Sequence, residues 1–129
     1  FVLIDEHYQI VAANRAYCMN YGVDREKVVG RYCHEISHLS AVPCHHNGED
    51  CPHQEVFRTG KMHEVIHTHF DSHNRPEHVR IKGHPIRSAS NQLYLGEAVF
   101  RIANNRVAKV FQVATYLMLS PCLRYAFNQ

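Results

Sequence analysis

Tyr8-Gln-Ile-Val-Ala-Ala13, then Asn14-Arg-Ala-Tyr-Cys-Met-Asn20, then Tyr21-Gly22 is the stretch on which the reading of the chain turns. An apolar run with strand character leads directly into an asparagine. The side-chain oxygen of Asn14 can accept from the free amides of a first helical turn, which predicts a helix over residues 15–20. Gly22 ends it, as a residue free to turn left-handed. Upstream, Phe1-Val-Leu-Ile-Asp5 is a second short apolar run, joined to the first by Glu6-His7. Two short strands around a polar turn predict a hairpin. The start in mid-strand predicts that further residues precede Phe1 in a longer protein.

Downstream, Asp24 predicts a second short helix over residues 25–29, closed by Gly30. Residues 31–50 hold Pro43 and Gly48, show little periodicity and read as mostly loop. Pro52 suits a first helical position and Gly60 a terminator, so residues 52–59 read as another helix. The period then changes. Residues 61–71 are rich in β-branched residues and histidine, and a turn follows at residues 72–76. Over residues 77–86, Val79 and Ile81 alternate with His78, Arg80 and Lys82. After a turn at residues 88–91, residues 93–102 form a last strand. The expected fold class is α+β: a five-stranded antiparallel sheet with short helices on one face. Beyond Ile102 the spacing of Val107, Val110, Phe111, Ala114, Leu117 and Met118 is that of one helix face, up to Pro121.

Composition sets the bounds. The chain has 129 residues and 15.0 kDa, 45% hydrophobic and 20% charged, which suits one globular domain. Fourteen Lys+Arg against twelve Asp+Glu leave a formal charge of +2. That balance offers no strong field for a polyanion, so no direct contact with nucleic acid is expected. The longest apolar run, residues 110–119, contains Gln112 and Thr115, and a bilayer span needs roughly twenty residues. With no leader pattern at the start, the expectation is a cytoplasmic protein without membrane contact.

The bias that remains is 12 His and 5 Cys, with eleven of the histidines between His34 and His84. Clustered histidines with an odd cysteine count fit an intracellular metal or redox site better than a disulfide framework. The spacing Cys33-x4-His38-x5-Cys44-x6-Cys51 offers three thiols and one imidazole, a set that suits zinc or an iron–sulfur cluster. Helix geometry leaves two versions open. If the segment is all helix, His34 and His38 share a face. If the helix ends near Ser37, Cys33 and His38 can converge. His67 and His69, two apart on a strand, point to one face, and with His34, His45, His46 and His53 are further candidate ligands. Cys44 and Cys51 could instead be a disulfide or a redox-active thiol pair. The many imidazoles leave pH sensing open as well. Cys18 and Cys122 are assigned to packing.

Taken in order, Phe1-Val-Leu-Ile-Asp5, Ile10-Val-Ala-Ala-Asn14-Arg-Ala-Tyr17, Tyr21-Gly-Val-Asp24-Arg-Glu-Lys-Val-Val-Gly30 and the turn Asp71-Ser-His-Asn-Arg-Pro76 resemble a PAS sensor domain over about residues 1–102. Cys33, His38, Pro43-Cys44, Cys51-Pro52 and the strand end His67-Thr-His69-Phe70-Asp71 are similar to a bacterial subgroup of that family. The resemblance implies the second helix version and supplies candidate metal positions at Cys33, His38, Cys44 and Cys51. It also implies a pocket between sheet and helices for a small organic ligand, lined by Tyr21, Phe57, Ile66, Val79 and Ile81. Residues 103–129 would then be a signalling and dimerisation helix that leads to an output domain, and a homodimer is expected. Leu119-Ser-Pro-Cys-Leu-Arg124 is similar to the segment that opens the ATPase module of sigma-54-dependent transcription activators.

The expected function is a sensor in signal transduction and transcription regulation that reads a ligand, metal or redox state. The alternative is a ligand-free dimerisation module of a sensor histidine kinase in a two-component system, with any zinc structural. Catalysis is not expected. His67, His69 and Asp71 lack a general base in any recognisable motif.

Overall fold

The computed structural model describes residues 1–103 and 106–108. Strands β1 (Val2–Ile4) and β2 (Ile10–Ala13) form the expected hairpin. Helix α1 (Arg15–Tyr21) follows, with the Asn14 side chain accepting from the Tyr17 amide at 2.9 Å. Gly22 closes it at φ 65°, a left-handed turn against Ser72 that a side chain would strain. Helix α2 (Arg25–Val28) is one residue shorter than expected. Asp24 precedes it without a capping bond and pairs instead with Lys27 at 3.3 Å.

The segment read as mostly loop contains more structure than its sequence announces. Helix α3 (Cys33–Ser37) and a 3₁₀ turn (Cys44–Asn47) lie within it. Five residues are too few to display an apolar period. Their support is tertiary: the Ile10 amide donates to Arg31 O, Gly30 N to Ile10 O and Cys33 N to Tyr8 O. Helix α4 (Pro52–Thr59) has its proline at the start and Gly60 at its end, as expected.

Strands β3 (His63–Phe70), β4 (Pro76–Arg87) and β5 (Leu93–Ala103) complete an antiparallel sheet in the order β2-β1-β5-β4-β3. A short sixth strand, β6 (Arg106–Ala108), pairs with the end of β5. It corrects the five-strand count and the helical reading of Val107; the rest of the expected C-terminal helix lies outside the described residues. The β3–β4 turn is held by Asp71, whose carboxylate accepts from the amides of His73 and Arg75. Among the described residues no helix is long and apolar enough to cross a membrane.

The core lies between the sheet and the helices. Val2, Ile4, Ile10, Val56, Val79, Ile81, Leu95 and Val99 are essentially inaccessible there, together with Tyr17 and Tyr21. Each such aliphatic side chain contributes about 1.5–3 kcal/mol of transfer free energy. The opposite sheet face carries a second cluster around Leu3, Ala12 and Ala98. The alternation in β3 is Val65 in, Ile66 out, His67 in and His69 in. Ile66 is 60% exposed, so it does not line an interior pocket. Period two puts Ile66 on the face opposite its two histidine neighbours. Tyr21, Val79 and Ile81 belong to the core and Phe57 packs on its edge.

Candidate metal centre

Three backbone features bring the histidine- and cysteine-bearing segments together. α3 ends at Ser37 with His38 as its C-cap, and Leu39 turns left-handed at φ 49° to leave the helix axis. Pro43 opens the 3₁₀ turn, so Cys44 faces inward at 7% exposure. Gly48, at φ 79°, reverses the chain, with the Glu49 amide bonded back to Cys44 O. That reversal lays Asp50 along β3, where its carboxylate meets His63 Nε2 at 2.8 Å. α4 then starts over the middle of the sheet. A Cβ on Gly83 would stand 3.1 Å from Pro52, so the absence of a side chain there allows this approach.

The result is a convergence of His38, Cys44 and His67, whose ligand atoms lie within 4.8 Å of one another. The hydrogen bonds around the two imidazoles favour one arrangement of their protons. Ser37 Oγ donates its one hydrogen to Cys33 O at 2.9 Å, so it can only accept at its 2.8 Å contact with His38 Nδ1. His38 therefore carries its proton on Nδ1 and presents a lone pair at Nε2. His67 Nε2 donates to Asp50 O at 2.7 Å, since a carbonyl can only accept. His67 therefore presents a lone pair at Nδ1. The two bare nitrogens face each other at 3.1 Å. Two acceptors at that distance repel unless a cation lies between them. Burial, with His67 and His34 nearby, holds His38 down to about 4, so a proton does not serve at neutral pH. Two nitrogens on a tetrahedral zinc, each at about 2.05 Å, would stand ~3.3 Å apart, close to the observed separation.

His69 stands beside this group. It is fully buried, and its ring centroid is 4.5 Å from that of His38. Its Nδ1 is 2.6 Å from Tyr21 Oη, and its Nε2 is buried without a partner. Burial, with His38 and His67, keeps it neutral, well below the usual imidazole range. When Nδ1 donates to Tyr21, Nε2 is bare. An imidazole oriented through its other nitrogen in this way is the usual form of a metal ligand.

The remaining expected ligands lie close by but outside the convergent three. Cys33 opens α3 and packs on the core, where burial pushes its thiol well up. Cys51 occupies the position before α4 and is buried, at 3% exposure. Cys44 and Cys51 are in no disulfide, nor are Cys18 and Cys33. His34 is buried, but its ring stacks on Tyr32 at 5.3 Å and meets Tyr8 edge-on. The structure thus joins His38 and Cys44 to His67, with Cys33, Cys51 and His34 around them.

The sequence offered His53 as a spare donor, and the structure gives it a packing role instead. His53 is sandwiched between Tyr8 (3.9 Å) and Phe57 (4.4 Å) and donates from Nε2 to Asp5 O at 2.7 Å. It ties α4 to the β1–β2 turn. Tyr8 lies at φ 65°, unusual for an aromatic residue, and only the folded chain reveals it as half of this stack. Glu97 is also buried, at 9% exposure, and burial, with Cys51 nearby, pushes it up to about 8.

Surface clefts of about 410 and 230 Å³ lie elsewhere, around Asn20, Asp71 and Arg101 and around Gly22, Lys27 and Ile36, and include none of the five expected pocket residues. In comparison with known proteins, no curated protein matches the chain. A family model described as the PAS fold matches residues 1–101, and the chain belongs to that family of sensory and signalling modules.

Proposed function

We propose that this PAS module senses through a transition-metal ion held by His38 Nε2, Cys44 Sγ and His67 Nδ1, and passes the state of that centre to an output domain. The observation that supports it is the facing pair of imidazole lone pairs, 3.1 Å apart, with a buried thiol beside them. Two nitrogens and one sulfur suit a borderline cation such as zinc. His69, with a bare Nε2 beside His38, is the candidate fourth ligand. PAS domains are generally sensory rather than catalytic, so the ion is read as a signal or a conditional staple. The C-terminal likeness at residues 119–124 supports a sigma-54-dependent transcription activator as the output. The apolar spacing over residues 110–118 supports a homodimer. Free thiols agree with a reducing, cytoplasmic setting.

The test is zinc binding to the reduced, untagged chain, with cobalt(II) as the spectroscopic probe. A single ion per chain is expected, with a cobalt–thiolate absorption. His38→Ala, Cys44→Ser and His67→Ala abolish it, while Cys33→Ser and Cys51→Ser retain it. Zinc that survives His67→Ala but is lost in Cys33→Ser and Cys51→Ser would instead assign the ion to the three cysteines with His38. An iron–sulfur absorption in the protein as purified would overturn the mononuclear centre.

A further inference from the structure

We infer that the cleft between α1, the β3–β4 turn and the end of β5 is a binding site for a small carboxylate with an apolar tail. The cleft has a volume of about 410 Å³, within the ~300–1,000 Å³ usual for small-molecule sites. None of its residues belongs to the proposed metal centre. Its walls are fixed by the backbone. The Ser72 amide donates to Asn20 O at 2.8 Å, and Gly22 lets the turn approach α1 so closely that a Cβ there would stand 2.9 Å from Ser72 Cβ. The turn itself is held by Asn74, at φ 58°, and by the Asp71 carboxylate, which accepts from the amides of His73 and Arg75. A ligand entering this cleft finds it already shaped, which reduces the ordering cost of binding.

Two guanidinium groups line the cleft, and a carboxylate orients each of them through Nε. Arg75 Nε donates to Asp71 Oδ2 at 3.1 Å, and Arg101 Nε donates to Glu77 Oε2 at 2.9 Å. Asn20 completes the second arrangement: it accepts from Arg101 Nη2 at 2.8 Å and donates to Glu77 Oε1 at 2.9 Å. Among the described residues, both terminal nitrogens of Arg75 and Nη1 of Arg101 have no hydrogen-bond partner. Such nitrogens suit an oxyanion, which a guanidinium can bind with two parallel donors. Charge decides which oxyanion. Asp71 and Glu77 already balance the two cations, so a singly charged carboxylate is accommodated better than a phosphate dianion. Met19, 67% exposed on α1, and Ala16 add an apolar wall to the same cleft. A lone exposed methionine carries little meaning, but one beside two guanidinium groups favours an alkyl tail on the carboxylate.

The experiment titrates the chain with sodium acetate, butyrate and hexanoate at constant ionic strength and follows its amide NMR spectrum. Inorganic phosphate is the comparison. The expected result is saturable shifts at Asn20 and residues 71–75, with affinity rising about two- to fourfold for each added methylene. Arg75→Gln should weaken hexanoate by about tenfold or more, as expected for the loss of charge-assisted hydrogen bonds. Backbone amides on Asp71 still hold the turn in that variant, and its own amide spectrum checks the fold. Met19→Gln should flatten the rise along the series. Arg58→Gln, at an exposed arginine likewise paired with a glutamate, should leave binding unchanged. Shifts that do not saturate, or that persist at the same affinity in Arg75→Gln, overturn the site. Phosphate bound more tightly than hexanoate overturns the carboxylate assignment, and a flat series in the wild type overturns the apolar tail.

Discussion

A single hydroxyl decides which nitrogen of His38 faces the centre. Ser37 Oγ is committed to Cys33 O, so it holds the His38 proton on Nδ1 and leaves Nε2 bare. Ser37→Ala removes this constraint without touching any ligand. Partners that orient a ligating histidine are typically worth about 10–100-fold in metal affinity. The expected outcome is a loss of that size in zinc affinity by competition titration, with the unfolding midpoint of the metal-free protein little changed; an unchanged affinity would sink the tautomer argument. His38 and Cys44 were legible in the sequence because their spacing is a motif. That His67 meets them was not, because it depends on Gly48 reversing a loop onto β3.

His53 allows a second test at the same scale. Burial lowers it to about 4; the Asp5 carbonyl and carboxylate oppose that shift, and His45 adds to it. The folded value lies below the ordinary 6.5, so between those values the unfolded chain binds more protons. Stability therefore falls as pH drops from about 6.5 toward about 4 and levels off below. The upper bound on this share is about 3 kcal/mol. His53→Gln removes the titration while keeping an amide that can reach Asp5 O. In urea unfolding at about pH 7.5 and about pH 5, the variant should lose less stability on acidification than the parent. Equal losses would show that His53 does not carry that share.

At the scale of elements, local rules worked where a cap or an alternation stood in the chain. Asn14 and Gly22 bound α1, and Pro52 and Gly60 bound α4, as their residue types dictate. Asn14→Ala should cost about 1 kcal/mol in denaturant unfolding, the usual worth of such a cap. α3 was not legible, because it has five residues and no side-chain cap, and its support is tertiary: backbone bonds to β2 and its approaches, and Ile36 in the core. β3 was legible as a strand, but the side its residues face was assigned partly in error. Its inward residues include two histidines, so the apolar alternation that normally marks the core is broken. Ile66→Thr, on the exposed face, should change stability by no more than about 0.5 kcal/mol, whereas Val65→Thr should cost more than 1 kcal/mol. The reverse order would mean that β3 is turned over, which would also carry His67 and His69 away from the site.

Across the whole molecule, the proposed ion joins parts of the chain that the fold alone links loosely. His38 ends a five-residue helix, Cys44 opens a 3₁₀ turn, and His67 lies in β3, an edge strand of the sheet. Hydrogen bonds from His67 to Asp50 O and from His63 to the Asp50 carboxylate tie this loop to β3. An ion that binds the folded chain and not the unfolded one stabilises it by about 2.7 kcal/mol at a hundredfold excess over its dissociation constant. For a domain of this size each kcal/mol moves the thermal midpoint by roughly 4–8 °C. Zinc should therefore raise the midpoint by about 10–20 °C in the wild type, and not at all in His67→Ala. Hydrogen exchange should locate the effect, with new protection at residues 39–50 and along β3, and little at α1 or the β1–β2 hairpin. A uniform gain in protection with an unchanged loop would mean that zinc binds elsewhere. A rise that persists in His67→Ala would remove β3 from the centre. If the protection is confined to the loop and β3, the ion changes the order of one edge of the sheet, and that edge is the element through which a sensory signal would leave the site.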